Sequence, residues 1–78
     1  MKGLKLFIAD VIDEDTSEQI YWYVVGKTYN SAFKRFIKEA NVLWRKYAYY
    51  FNEATDKDID EFSEYYNINN IKAGIYEK

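Results

Sequence analysis

The residues of this chain that could do chemistry are carboxylates and hydroxyls. It has no His and no Cys. That removes the usual proton shuttle near neutral pH, the commonest metal ligand and the thiolate nucleophile. Asp56, Asp58 and Asp60 are spaced like the first ligands of a calcium-binding loop. Such a loop needs Gly at its sixth position and Glu at its twelfth, where this chain has Glu61 and Asn67. Asp13, Asp15 and Ser17 fail the same test, with Glu18 and Val24 in those places. Ser17, Ser31 and Ser63 have no convincing base beside them to activate a hydroxyl. The three glycines form no phosphate-binding loop. These residues predict a non-enzymatic protein with no metal site and no cofactor.

What is left is surface, and its charges are segregated. The net charge is −2 over 78 residues. Residues 1–26 carry a net −3, residues 27–46 a net +5 and residues 47–78 a net −4. A basic centre therefore lies between two acidic flanks. Two acidic clusters, Asp13, Glu14, Asp15 and Glu18 in one and Asp56, Asp58, Asp60 and Glu61 in the other, are candidate partner contacts. Set on one surface they would imitate a phosphate backbone and occupy a nucleic-acid-binding groove on another protein. The plain alternative is solvated acids and helix caps. Lys34, Arg35, Lys38, Arg45 and Lys46 form a candidate nucleic-acid-binding stripe, with Tyr47, Tyr49 and Tyr50 nearby for stacking. A sequence pI near 5.0 counts against that stripe, because binding by counterion release needs uncancelled cations.

These residues must be positioned by one small α+β domain spanning residues 1–78. A chain this short buries roughly 60–65% of its unfolded surface, so nine Tyr, five Phe and two Trp must supply most of the packing. Residues 4–13 and 19–25 are β-rich runs joined by a polar loop, which predicts a hairpin. Thr28, Asn30 and Ser31 are candidate N-caps for a following helix. From there Phe33, Ile37, Ala40, Trp44, Tyr47 and Phe51 recur at helical spacing, which predicts one long helix. The competing reading ends the helix near Asn41 and makes residues 42–51 a strand, a segment whose Val, Trp and Tyr favour sheets. Thr55 with Asp58 resembles a capping box ahead of a short second helix, whose apolar face is Ile59, Phe62 and Tyr66. Asn67 to Asn70 reads as a turn, and the alternation at Ile71, Ala73 and Ile75 predicts a last strand. The expected order is ββααβ: a three-stranded antiparallel sheet with one long and one short helix on one face.

The predicted hairpin is apolar on both faces, whereas a hairpin covered on one side alternates apolar with polar. A second face carrying Phe7, Val11, Tyr21, Tyr23 and Val25 then needs a cover. Either the last helix wraps around it, or it is an interface with a partner or a second copy. Tyr21 and Tyr23 are its candidate contacts. No segment has the ~18 consecutive apolar residues of a membrane span. Lys5 and Asp10 interrupt the apolar start in a way a signal peptide does not. The expectation is a cytoplasmic protein that acts away from membranes.

The stretch "QIYWYVVGKTYNSAFKRF", residues 19–36, resembles the ββα unit of small phage-encoded proteins. These include host-polymerase inhibitors and anti-CRISPR proteins. The resemblance spans about residues 4–40, and the composition rich in Lys, Asn, Ile and Tyr suits an AT-rich genome. It implies a stoichiometric inhibitor, working in the host cytoplasm, that binds a host or bacterial protein and performs no chemistry. The two other functional expectations are a nucleic-acid-binding module using the basic stripe and a homodimer closed through the open sheet face.

Overall fold

The computed structural model describes residues 2–13, 15–40 and 47–77, with the backbone alone at residues 40, 47 and 48. Its order is ββαβαβ: β1 Lys5–Asp13, β2 Gln19–Gly26, α1 Tyr29–Ala40, β3 Tyr47–Glu53, α2 Asp56–Tyr65 and β4 Gly74–Glu77. The strands form one antiparallel sheet in the order β3-β1-β2-β4. The expected three-stranded sheet thus gains a fourth strand, and the expected long helix is two elements. Tyr47–Glu53 pairs along the free edge of β1, where each strand hydrogen bond satisfies a backbone group that a sheet edge would leave to water. The helical spacing from Phe33 to Phe51 was shared by a strand pattern at its end. Phe51 reaches the core, as the spacing predicts, but it does so from a strand opposite Ala9. Trp44 lies outside the described residues.

The hairpin forms as the sequence predicts, and its loop is tied by its own side chains. Asp13 Oδ1 accepts from the N–H groups of Asp15 and Thr16 at 2.9 and 3.3 Å. Ser17 donates its N–H to the Asp13 carbonyl at 2.7 Å, and its left-handed φ of 61° turns the chain back so that the Glu18 carbonyl accepts from the Asp13 N–H at 2.8 Å. The register places Phe7 opposite Val24 and Leu6 opposite Val25. Phe7 and Val11 therefore share a face with Trp22 and Val24, not with Tyr21, Tyr23 and Val25 as expected. The loop length sets this register, and one step along a strand exchanges the faces.

Both faces are covered, by different helices. Thr28 Oγ1 accepts from the Ser31 N–H and Ser31 Oγ from the Thr28 N–H, both at 3.1 Å, which caps the start of α1. Ala32 and Phe36 of α1 are buried against Phe7, Ala9, Val11, Val24 and Phe51, and Phe33 and Ile37 border them. On the other face Phe62 of α2 is buried against Leu6, Tyr23 and Val25, with Ile59, Tyr66 and Tyr76 around them. The expectation of both helices on one face is corrected here. A hairpin apolar on both sides leaves a large cost if either side stays wet, and α2 removes that cost over Leu6, Tyr23 and Val25. The predicted capping box at Thr55 and Asp58 is formed, with both reciprocal bonds present.

The bonds Asp13 N–H to Glu18 O and Ala54 N–H to Leu6 O fix the phase of the ladders. Residues 49, 51 and 53 of β3 and residues 75 and 77 of β4 then aim their backbone groups away from the sheet. Tyr29 donates its hydroxyl to the Phe51 carbonyl at 3.1 Å, and Tyr66 donates to the Glu77 carbonyl at 2.8 Å. Each outer edge of the sheet thus has a tyrosine occupying one outward acceptor, a device that blunts an edge strand.

Candidate partner-binding surfaces

α2 covers only part of its face. It sits over the end of the sheet that holds Leu6, Val25 and Tyr76. Beyond it the same face continues toward the hairpin loop. There Asp10 pairs with Tyr21 on one side and with Tyr50 on the other, so the three share a row across three strands. Ile8 and Ile12 stand two residues either side of Asp10 on β1 and share its face. Tyr21 is 38% and Tyr50 59% exposed, while Ile8, Asp10 and Ile12 are half-buried. Gln19 Nε2 donates to both Asp10 carboxylate oxygens at 2.9 Å. This is an aromatic and aliphatic frame around one carboxylate, on rigid strands.

Sequence reasoning found Tyr21 but missed Asp10, Gln19, Ile12 and Tyr50 as parts of one surface. The signal was present in "LFIADVI", residues 6–12. A lone acid in the middle of an apolar strand must face either a partner or an opening. Tyr23, the other predicted aromatic contact, is 1% exposed and lies under α2 with its ring 4.8 Å from that of Phe62. It is core because it lies two residues further along β2 than Tyr21, at the end of the face where Phe62 of α2 packs with Leu6 and Val25. Burial pushes its hydroxyl pKa above 10.0, and the charges of Glu61 and Asp58 push it further.

The two acidic clusters are not brought onto one surface. Asp13, Asp15 and Glu18 belong to the hairpin loop, while Asp56, Asp58, Asp60 and Glu61 begin α2 next to the opposite end of β1. From Leu6 to Asp13 the strand runs about 23 Å. Asp13 is engaged in closing its loop and Asp58 in capping its helix. Glu14 lies outside the described residues. Asp56, Asp58 and Asp60 fall in the first turns of α2 rather than in a loop. Among the described residues no group of three carboxylates is placed to hold a metal ion.

Charge is instead divided between the layers. α1 carries Lys34, Arg35 and Lys38 against Glu39. α2, on the other side of the sheet, carries Asp56, Asp58, Asp60, Glu61 and Glu64 against Lys57. Arg35 pairs with Glu39 at 3.4 Å, and the other ion pair among the described residues is Lys5–Glu53 at 3.6 Å. Lys34 and Lys38 are exposed and line a shallow groove with Ser31, Arg35 and Glu39. Arg45 and Lys46, also predicted for the basic stripe, lie outside the described residues. Against α2 a second cleft of about 340 Å³ is lined by Tyr23, Glu61, Glu64, Tyr65, Tyr66 and Glu77. The acidic side of the molecule is thus also the side with the open tyrosine frame.

These features define a small α+β domain: a four-stranded antiparallel sheet between an acidic and a basic helix. Compared with known families, with curated proteins and with solved structures, the chain matches none. Among the described residues no helix is long and apolar enough to cross a membrane.

Proposed function

We propose that the protein is a non-enzymatic protein-binding factor whose partner seats on the half of the sheet that α2 leaves open. The observation that carries this is the frame of Tyr21, Tyr50 and Ile12, bordered by Ile8 where it packs against the α2 core. Exposed aromatic side chains on a rigid platform lose little entropy on contact and supply large buried area, which is what interface anchors do. The acidic helix on the same side attracts a basic partner over distance. The nucleic-acid mimicry expected from two joined acidic clusters is reduced to this one helix. Stoichiometric inhibition, as the resemblance to small phage proteins implies, follows if the occupied partner surface is one the partner needs.

The test is a photo-crosslinking phenylalanine placed in turn at positions 21, 50, 29 and 72 in cells that make the protein. Covalent adducts are expected from 21 and 50 and not from 29 and 72. Adducts from 29 or 72 alone would place the partner elsewhere and remove the proposal. A second reading, nucleic-acid binding through α1, is favoured by one observation. Lys34 and Lys38 lie on the layer away from the α2 acids, so the low pI does not dilute that face locally. Its test is the salt dependence of DNA and RNA affinity, lost in Lys34→Glu/Lys38→Glu.

A further inference from the structure

The open half-face has one charged group at its centre, and among the described residues no cation pairs with it. Asp10 is half-buried. Its hydrogen-bond donor is the neutral amide of Gln19, and neither ion pair among the described residues includes it. Burying such a carboxylate under an apolar partner is strongly unfavourable, because removing water from a charge without a counter-ion is not compensated. The partner must therefore bring a positive group to that point.

We infer that the row Tyr21–Asp10–Tyr50 is a receptor for a single cationic side chain, an arginine presented by the partner protein. The inference rests on the open half-face being the docking surface, and it names the chemistry of what docks. The two tyrosines flank Asp10 on neighbouring strands, so their Cα atoms are about 10 Å apart, one wide and one narrow antiparallel pair. That gap admits one flat group between two rings. A guanidinium is flat, stacks on aromatic faces and presents a fork of N–H donors that matches a carboxylate. Gln19 gives its two bonds from one nitrogen, so the carboxylate keeps acceptor capacity for the fork. Ile8 and Ile12, above and below, exclude water and strengthen the pairing. α2, with five acids against one lysine, adds a field of the right sign.

A second copy of the chain is the main rival. A two-fold dimer uses the same patch on both subunits. A patch whose central charge is an acid would press two carboxylates toward one drying interface, which disfavours that occupant.

Nuclear magnetic resonance titration tests this with end-blocked Gly-Ser-Arg-Ser-Gly at millimolar concentration and with the same peptide carrying citrulline or leucine in place of arginine. The arginine peptide is expected to move the signals of Asp10, Tyr21 and Tyr50 and to bind about tenfold or more tighter than the citrulline peptide. Asp10→Asn keeps an acceptor for Gln19 and is expected to bind the two peptides alike, with an unchanged thermal midpoint as the folding control. Equal binding of all three peptides at these signals would overturn the arginine receptor while leaving the half-face as a docking surface. Shifts confined to α2 or α1, or none, would overturn it too, and crosslinks from positions 21 and 50 would then decide separately whether the face docks anything. Signals of the half-face that broaden with protein concentration, with a doubled mass in light scattering, would put a second copy there and also overturn it.

Discussion

Phe62→Ala asks whether the α2 layer is half of the core or a decoration on it. Phe62 is fully buried. Its ring lies 4.8 Å from Tyr23, 4.9 Å from Tyr66 and 5.9 Å from Tyr76. Truncating a buried Phe costs about 3–5 kcal/mol, from lost transfer energy and from the cavity left behind. Each lost aromatic pair adds to the direct area term by about 0.5–1.5 kcal/mol, so the upper part of that range applies. The whole stability of a domain of this length is about 4–12 kcal/mol. One truncation should therefore remove a third or more of it. With a urea slope of about 1 kcal/mol/M for a chain this small, the midpoint should fall by about 4–5 M. Urea unfolding followed by far-ultraviolet circular dichroism and by tryptophan fluorescence reads this. Phe62→Leu keeps most of the volume and should lose under half as much, which keeps the measurement possible if the alanine variant is unfolded. Tyr65→Ala, on the same helix but 76% exposed, should stay within about 0.5 kcal/mol. A loss below about 1 kcal/mol for Phe62→Ala, or two separate transitions, would refute the reasoning.

Three further perturbations have defined outcomes. Gly26→Ala would place a Cβ 3.0 Å from the Ala32 Cβ and 3.1 Å from its Cα; because a helix backbone cannot step aside, a loss of about 1–3 kcal/mol is expected in the same urea assay. Thr55→Ala removes one half of the α2 capping box and should cost about 1 kcal/mol, most of it restored by Ser. Tyr23 has its hydroxyl pKa raised in the fold, first by burial and then by Glu61 and Asp58. The folded state therefore holds that proton longer than the unfolded chain does. Its contribution is complete below pH 10.0, the ordinary value, and is lost as pH rises through the higher folded value. Tyr23→Phe should shift the alkaline unfolding limb to higher pH, and an unchanged limb would contradict the assigned cause.

Local chemistry made some of this fold readable in the sequence, and long-range pairing hid the rest. The hairpin and the Thr55–Asp58 box announce themselves because turn and cap residues sit within a few positions of what they bond. The segment up to Phe51 misleads because Phe33, Ile37, Ala40, Trp44, Tyr47 and Phe51 fit a helical stripe while residues 47, 49 and 51 also alternate as a strand. The unpaired edge of β1 decides between them, and that edge is forty residues away in sequence. The two-sided apolar hairpin did signal that a second cover was needed, without saying that α2 supplies it. For the candidate site, Tyr21 could be named from its alternation, but Tyr50 joins it only through the β1–β3 register, and Asp10 gains meaning only between the two. Tyr23 shows the converse: it has the same type and strand as Tyr21, and two residues further along β2 it is under the helix.

The central claim is that the face holding Tyr21, Asp10 and Tyr50 is the one that meets the partner. Its most direct test is calorimetry with the partner captured by crosslinking, comparing Tyr21→Ala/Tyr50→Ala with Lys34→Glu/Lys38→Glu. Two interface anchors are worth about 2 kcal/mol or more each, so the tyrosine pair should weaken binding by several hundredfold or more, and the lysine pair should leave it within threefold. Retained affinity in the tyrosine variant, with the loss appearing in the lysine variant instead, would contradict the account.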